Sequence, residues 1–161
     1  MSQVSGVAGA VDGSHIPIIA PKESVASYIN RRGFHSVLLQ GVCDEKKMFI
    51  DWYAGEVGSI HDACLFRRSE LGRRFGDLQF PQDGHLLGDS AYSLTTKLLV
   101  PYKDNGHLTN IEKNFNKQHS KCRVYIEQTF AYLKRKIPQI KVVRGCKIPD
   151  TPYNNMCMYF T

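Results

Sequence analysis

Apolar residues along the chain fall into runs that switch between the two-residue period of strands and the 3.6-residue period of helices. Val7 to Ile19 is apolar and β-branched around Asp12-Gly13-Ser14, which predicts a strand with a local irregularity at those three positions. Phe34 to Cys43 (FHSVLLQGVC) and Met48 to Ala54 (MFIDWYA) predict two more strands. Asp44-Glu45-Lys46-Lys47 between them predicts a hairpin turn, although without the favoured Asn-Gly or Asp-Gly. Ile60 to Phe75 reads as a helix with Ala63, Phe66 and Leu71 apolar, Ser59 as its cap and Asp62 three residues on. Gly84 to Tyr92 holds a short apolar run that ends at an acid, and Leu98 to Tyr102 predicts a further short strand. From Thr109 to Ile137 the pattern is helical, in one piece or two. Ile126, Phe130, Leu133 and Ile137 fall at i, i+4, i+7 and i+11 on one buried stripe, and Pro138 stops the helix. Strands first, then a helix, a strand and a late helix make a mixed α/β order.

The 161 residues suit one domain, and neither a repeat nor a low-complexity tract divides them. With 42% hydrophobic and 22% charged residues the chain can bury a core, which excludes wholesale disorder. No apolar run reaches the length of a membrane span, and Met1 to Gly13 lacks the basic and apolar regions of a signal peptide. Five cysteines (Cys43, Cys64, Cys122, Cys146, Cys157) form an odd set without a C-x-x-C pair, which fits a reducing intracellular compartment.

Charge changes the picture when it is split by position. The first 80 residues balance nine Lys/Arg against nine Asp/Glu, so the net charge of +6 belongs to the second half. Lys113, Lys117, Lys121, Arg123, Lys134, Arg135, Lys136, Lys141, Arg144 and Lys147 form a basic stretch interrupted by one acid, Glu127. Such a stretch suits a polyanionic partner through phosphate contacts, or is a solvated helix face.

The acids stand in odd places. Asp12 follows Val7-Ala8-Gly9-Ala10-Val11, and Asp89 follows Leu86-Leu87-Gly88 in the same manner. An acid at the end of an apolar strand is desolvated unless a cation meets it, and two such strands side by side press like charges together. Glu127 lies roughly 90° around the helix from the apolar stripe, with Arg123 and Lys134 on its own flank. Asp62 begins a helix, where its charge suits the positive end of the dipole. Carboxylates of this kind favour Mg²⁺ or Mn²⁺ over zinc, and a pair of such ions serves phosphodiester cleavage. Each residue also has a plainer reading: Asp12 as a turn residue, Asp62 as a helix-start acid, Glu127 as an ion-pair partner of Arg123 or Lys134.

At these residues the chain resembles the PIF/Harbinger family of DDE transposases and the nucleases derived from them. The matching segments are Val11-Asp12-Gly13-Ser14-His15-Ile16, Gly33-Phe34-His35-Ser36 with Gln40-Gly41-Val42-Cys43-Asp44, Gly58-Ser59-Ile60-His61-Asp62-Ala63, and Leu87-Gly88-Asp89-Ser90-Ala91-Tyr92. Phe115-Asn116 with His119-Ser120 follows, then Arg123-Val124-Tyr125-Ile126-Glu127 leading to Phe130 and Leu133-Lys134. They run in family order over most of the chain. Two positions depart from the pattern: Gln128-Thr129-Phe130-Ala131 replaces the usual Arg-x-Phe-Gly, and Ser93 stands where proline is common.

The resemblance implies an α/β, ribonuclease H-like mixed sheet flanked by helices, and metal-dependent cleavage of DNA with strand transfer in transposing relatives. Carried over by motif, Asp12, Asp89 and Glu127 are the catalytic triad. Asp62 joins them at a two-metal Mg²⁺ or Mn²⁺ site. From the basic stretch, Arg123, Lys134, Arg135 and Lys121 are expected to meet the DNA. It further implies a Myb-like companion protein, and residence in the nucleus and cytoplasm. The nuclease domain is expected over residues 1–148, shortened at both ends relative to the family, with a divergent tail over residues 149–161. A catalytically silent DNA- or protein-binding module that keeps the scaffold is the alternative.

Weaker signals lead elsewhere. His61-x-x-Cys64 and His119-x-x-Cys122 resemble two halves of a zinc site, but no zinc-finger spacing links them. Serines near His15 and Ala91 lack a nucleophile-elbow pattern. Trp52 with Tyr53 reads as strand packing rather than base stacking.

Overall fold

A computed structural model of the protein describes residues 4–80 and 84–136. Three strands come first, β1 (Val7–Pro17), β2 (Ser36–Cys43) and β3 (Phe49–Val57). Two short helices follow, α1 (Asp62–Arg68) and α2 (Glu70–Arg74), then the short strands β4 (His85–Leu87) and β5 (Leu98–Leu99). The long helix α3 (Asn110–Lys136) closes the described part. The strands form one sheet in the order β3-β2-β1-β4-β5. β1, β2 and β3 run antiparallel, whereas β4 and β5 run parallel to β1. This is the mixed α/β sheet flanked by helices that the ribonuclease H-like resemblance implies.

Alternation along β1 and β2 sorts the core into two layers. Ala10, Ile16, Val37, Leu39 and Leu87 point to one face and pack with Ile126 and Phe130 of α3. Val11, Val42, Leu86 and Leu98 point to the other and pack with Phe66, Leu71, Phe75 and Tyr92. Gly41 on β2 makes room for the first layer: a side chain there would strike the rings of Phe49 and Phe130, which meet edge to face at 5.4 Å. β2 is buried at every position, as its central place beside β1 requires.

The helix α3 is continuous and begins at a capping box. Thr109 Oγ1 receives the N–H of Glu112 at 3.3 Å, and Glu112 Oε2 receives the N–H of Thr109 at 2.7 Å. Its first half docks by polar contacts. Asn116 pairs both ways with the backbone of Tyr102, and buried His119 lies 3.2 Å from the Leu99 carbonyl. The second half docks through Ile126 and Phe130 with Leu133 at the margin, as the stripe predicts; Ile137 and Pro138 lie outside the described residues.

Several expectations need correction. The helix expected over 60–75 is two helices broken at Ser69, whose backbone is extended (φ −65°, ψ 155°). Ser69 is fully buried; its hydroxyl donates to the Phe66 carbonyl and receives the N–H of Gly72, ending α1 and capping α2. Ser59 is not the cap of α1, because the N-cap position falls at His61 and its side chain makes no capping bond. Backbone pairing of β1 runs unbroken through Asp12-Gly13-Ser14, and its irregularity lies between Val7 and Gly9, opposite β4. The hairpin turn at 44–47 forms as expected. Asp44 Oδ1 holds the N–H groups of Lys46 and Met48, and Lys47 adopts φ 63°. Trp52 is 57% exposed rather than packed, because β3 is an edge strand and α3 lies over β1, β2 and β4.

Cys43, Cys64 and Cys122 are free thiols, and Cys146 and Cys157 lie outside the described residues. Among the described residues no helix is long and apolar enough to cross a membrane.

Ser69→Ala is expected to destabilise the fold by about 1–3 kcal/mol, through the lost cap and an unpaired Gln40 amide, which donates to Ser69 Oγ at 3.2 Å. Urea denaturation of the two proteins measures the difference.

Candidate functional site

The sheet register brings two of the sequence-predicted acids together. In the parallel β1/β4 pair Ala10 stands opposite Leu87. Two residues further along each segment come Asp12 and Asp89. β4 has ended there, and the chain turns back: Asp89 Oδ1 receives the Ala91 N–H at 2.9 Å, and the Asp89 carbonyl receives the Tyr92 N–H at 3.2 Å. Asp62 enters from the first turn of α1 across Gly13. A side chain at Gly13 would collide with the Asp62 carboxylate, so only glycine lets that acid lie against β1.

The charges of the three aspartates bear on one another, although burial is the larger influence on Asp12 and Asp62. The Asp12 carboxyl is pushed up to about 6, chiefly by burial, with Asp89 and Asp62 adding to the rise. Arg123 and the Gly13 N–H, 2.9 Å from Asp12 Oδ1, work against it. The Asp62 carboxyl is also raised, first by burial and then by Asp89, with Arg31, His61 and Arg123 opposing. Arg123 reaches down from α3 to place Nη2 3.2 Å from Asp12 Oδ2, with both side chains under one-fifth exposed. Even this ion pair does not offset the loss of solvation at Asp12.

Tyr92 closes the site from the opposite layer of the core. Its ring is 4% exposed and meets Phe66 edge to face at 5.6 Å, yet its hydroxyl has no hydrogen-bond partner among the described residues. Burial and the charges of Asp62, Asp12 and Asp89 all hold the phenol in its protonated form. Arg123 Nε is likewise buried and unpartnered.

The remaining predicted residues are distributed unevenly. Glu127 is exposed on α3, one turn beyond Arg123 on the helix flank that carries Lys134. The Lys134 ammonium is lowered by burial and by Arg32, and drawn up by Asp12. Glu127 thus lies along α3 between Arg123, which pairs with Asp12, and Lys134. Lys121 and Arg135 are exposed on α3, and neither forms an ion pair among the described residues. His61 and Cys64 do not meet His119 and Cys122 in a zinc site, since His119 is committed to the Leu99 carbonyl and no such cluster exists among the described residues. Sequence reading missed Arg31 and Tyr92 as neighbours of the acids. The signal for Arg31 was present as one of two adjacent cations in the charge-neutral half of the chain, and for Tyr92 in its place three residues after Asp89.

The donor set fits a hard divalent ion in its chemistry, being all carboxylate oxygen. Tyr92 Oη and Arg123 Nε, two buried donors without acceptors, border the same acids and suit the oxygens that a hydrated cation or a phosphodiester would bring. As the side chains stand, no three His, Cys, Asp or Glu among the described residues converge on one point, and Arg123 is the cation paired with Asp12.

Comparison with known proteins points the same way. Residues 11–150 match the family described as DDE superfamily endonuclease. The protein named "Putative nuclease HARBI1" in Rattus norvegicus is 36% identical over 135 residues, covering 83% of this chain and 37% of the relative. Its Homo sapiens counterpart is 34% identical with the same coverage. "Protein ALP1-like" of Arabidopsis thaliana is 28% identical over 151 residues, covering 83% of this chain and 36% of that protein. The chain therefore spans little more than a third of the length of these relatives. The Harbinger-type resemblance read from the motifs is borne out by them. No solved structure matches the chain.

The raised carboxyl of Asp12 has a consequence for stability. Its folded-state value lies above the unfolded value, so the native state binds the proton more readily, and stability from this group falls as pH rises from about 4 to about 6. Asp12→Asn abolishes that loss. Relative to the wild type, the variant is expected to gain up to about 3 kcal/mol between pH 4 and pH 7. Urea denaturation at both pH values measures this gain, and a pH-independent difference would contradict it.

Proposed function

We propose that this chain, which belongs to the DDE superfamily endonuclease family, is a divalent-metal-dependent DNA endonuclease domain of transposase origin. One observation carries the reading: Asp12, Asp62 and Asp89, from three separate elements, act on one another beside Arg123. An inert fold gains nothing from desolvating Asp12 and Asp62 beside further negative charge, whereas a phosphodiester-cleaving site needs carboxylates so placed.

Asp12, Asp89 and Glu127 are the catalytic acids in this reading, and with Asp62 they would hold Mg²⁺ or Mn²⁺. When bound, the ions supply Lewis-acid stabilisation of the charge that develops on the phosphodiester. The chain's own groups do the rest. Arg123 and Lys134 bracket the acids on one helix flank and orient the phosphate, and Lys121 and Arg135 extend the cationic surface along α3. The buried Tyr92 hydroxyl remains a proton donor across the working pH range, able to hold an oxygen in place without becoming charged. The nucleophile is water in hydrolysis and a 3′-hydroxyl in strand transfer. A DNA substrate places the protein in the nucleus for at least part of its life, and a Myb-like companion would supply the site-specific contacts that a cationic helix face lacks.

The pairing of Asp12 with Arg123 supports a second reading, a silent binding module in which that ion pair serves only to dock α3. Nicking of supercoiled plasmid separates the two. With Mn²⁺ or Mg²⁺ the wild type is expected to convert plasmid to open circles, and Asp89→Asn is expected to fall to background. Equal nicking by both proteins would sink the catalytic assignment, and DNA binding without nicking by the wild type would favour the module. Chelation by EDTA is expected to stop nicking, and restored Mn²⁺ to recover it.

A further inference from the structure

A chain of hydrogen bonds that the catalytic reading does not use ends at His15, three residues beyond Asp12 on β1. It starts from the backbone. Asn30 is 4% exposed, and its Oδ1 receives the N–H of Arg32 at 2.8 Å and that of Phe34 at 3.4 Å. Two backbone donors on one side of the amide fix its orientation, so Nδ2 is the atom that donates to Ser36 Oγ at 2.9 Å. Gly58, at the entry to α1, has no side chain where Ser36 Oγ stands. The Ser36 hydroxyl is fully buried, and its one other hydrogen-bond neighbour among the described residues is His15 Nδ1 at 3.0 Å.

A buried hydroxyl that accepts from Asn30 must still place its own proton, and His15 Nδ1 is the acceptor at hand. Nδ1 therefore accepts, and the proton of the neutral imidazole is carried by Nε2. Phe34 meets the ring edge to face, with centroids 6.4 Å apart, and holds its plane. The ring is half-buried, and Nε2 has no hydrogen-bond partner among the described residues. Its surroundings are set by β1. Pairing with β2 is unbroken from Gly13 (opposite Gln40) to His15 (opposite Leu38), so these two residues share one face of the strand. On that face the Asp62 carboxylate covers Gly13. His15 is thus the next side chain along β1 from Asp62.

We infer that His15, held as an Nε2–H donor by Asn30 and Ser36, binds a non-bridging phosphate oxygen of the DNA strand beside Asp62. The inference rests on the endonuclease reading for its ligand. The tautomer selects the chemistry of that ligand: a protonated Nε2 excludes a metal ion, and a ligand N–H would meet a donor facing a donor. An anionic oxygen is the group that suits it, and a bond to a charged acceptor is the stronger kind. Asn30 and Ser36 are positioning residues, because they act on the ligand only through the imidazole. A non-bridging oxygen accepts this bond in the ground state and the transition state alike, so the contact lowers KM and leaves kcat nearly unchanged.

The test begins with NMR of the full chain carrying isotope-labelled histidine, in which imidazole N–H correlations report the His15 tautomer without Mg²⁺ or Mn²⁺. A proton on Nε2 is expected, and its signal is expected to shift when a short mixed-sequence DNA duplex is added. In nicking of supercoiled plasmid with Mn²⁺, His15→Ala is expected to raise KM by about 10- to 100-fold, as loss of a hydrogen bond to a charged group does, with kcat nearly unchanged. His15→Gln, which keeps an N–H donor at the end of its side chain, is expected to recover most of that loss. Ser36→Ala is expected to raise KM in the same direction and to reduce the share of the Nε2–H tautomer. The tautomer measurement needs no variant, so it stands even where Ser36→Ala fails to fold. A proton on Nδ1, or an unchanged KM in His15→Ala while the wild type nicks DNA, would overturn the inference and leave the endonuclease reading standing. A wild type that neither binds nor nicks DNA would overturn both.

Discussion

A carboxylate buried at the centre of the sheet is the constraint on which the rest of the structure depends. Asp12 sits on β1, the middle strand, where water is largely excluded, and its ionised form is costly there. The structure meets that cost with Arg123 from α3, which ties the long helix to the sheet at the point where β1 and β4 run parallel. The ion pair is incomplete compensation, as the raised Asp12 carboxyl shows. Burial, the helix and two neighbouring acids are therefore linked through one residue.

The arrangement around Asp12 is made by backbone features. Parallel pairing of β1 with β4 sets Ala10 opposite Leu87, so Asp12 and Asp89 each follow two residues beyond that pair. Gly13 lacks a side chain where Asp62 needs space. Gly88 lets the Tyr92 ring lie close below the loop, since a side chain there would press on that ring. Each of these is a local choice whose purpose appears only when three segments meet.

Positive charge is organised in the same spatial way. The net charge belongs to the second half of the chain, and α3 delivers Arg123 and Lys134 to the acids. The neutral first half delivers Arg31, whose charge opposes the rise of Asp62.

The elements with a strong local period were legible in the residues: β1, β2, β3, their hairpin turn and the Ile126/Phe130 stripe of α3. So were Asp12, Asp62 and Asp89 as candidates, because motif and strand-end position mark them within a few residues. The break at Ser69, the exposure of Trp52 and the nearness of Arg31 and Tyr92 to the acids were not. Ser69 looks like any helical serine until Gln40 and Gly72 compete for its hydroxyl. Trp52 looks like core until the sheet order leaves its strand at the edge. Periodicity and capping act over a single turn or strand, so the chain alone determines them. Which acids share a charge environment depends on register and on helix placement between segments as much as 100 residues or so apart, and only the folded chain decides that.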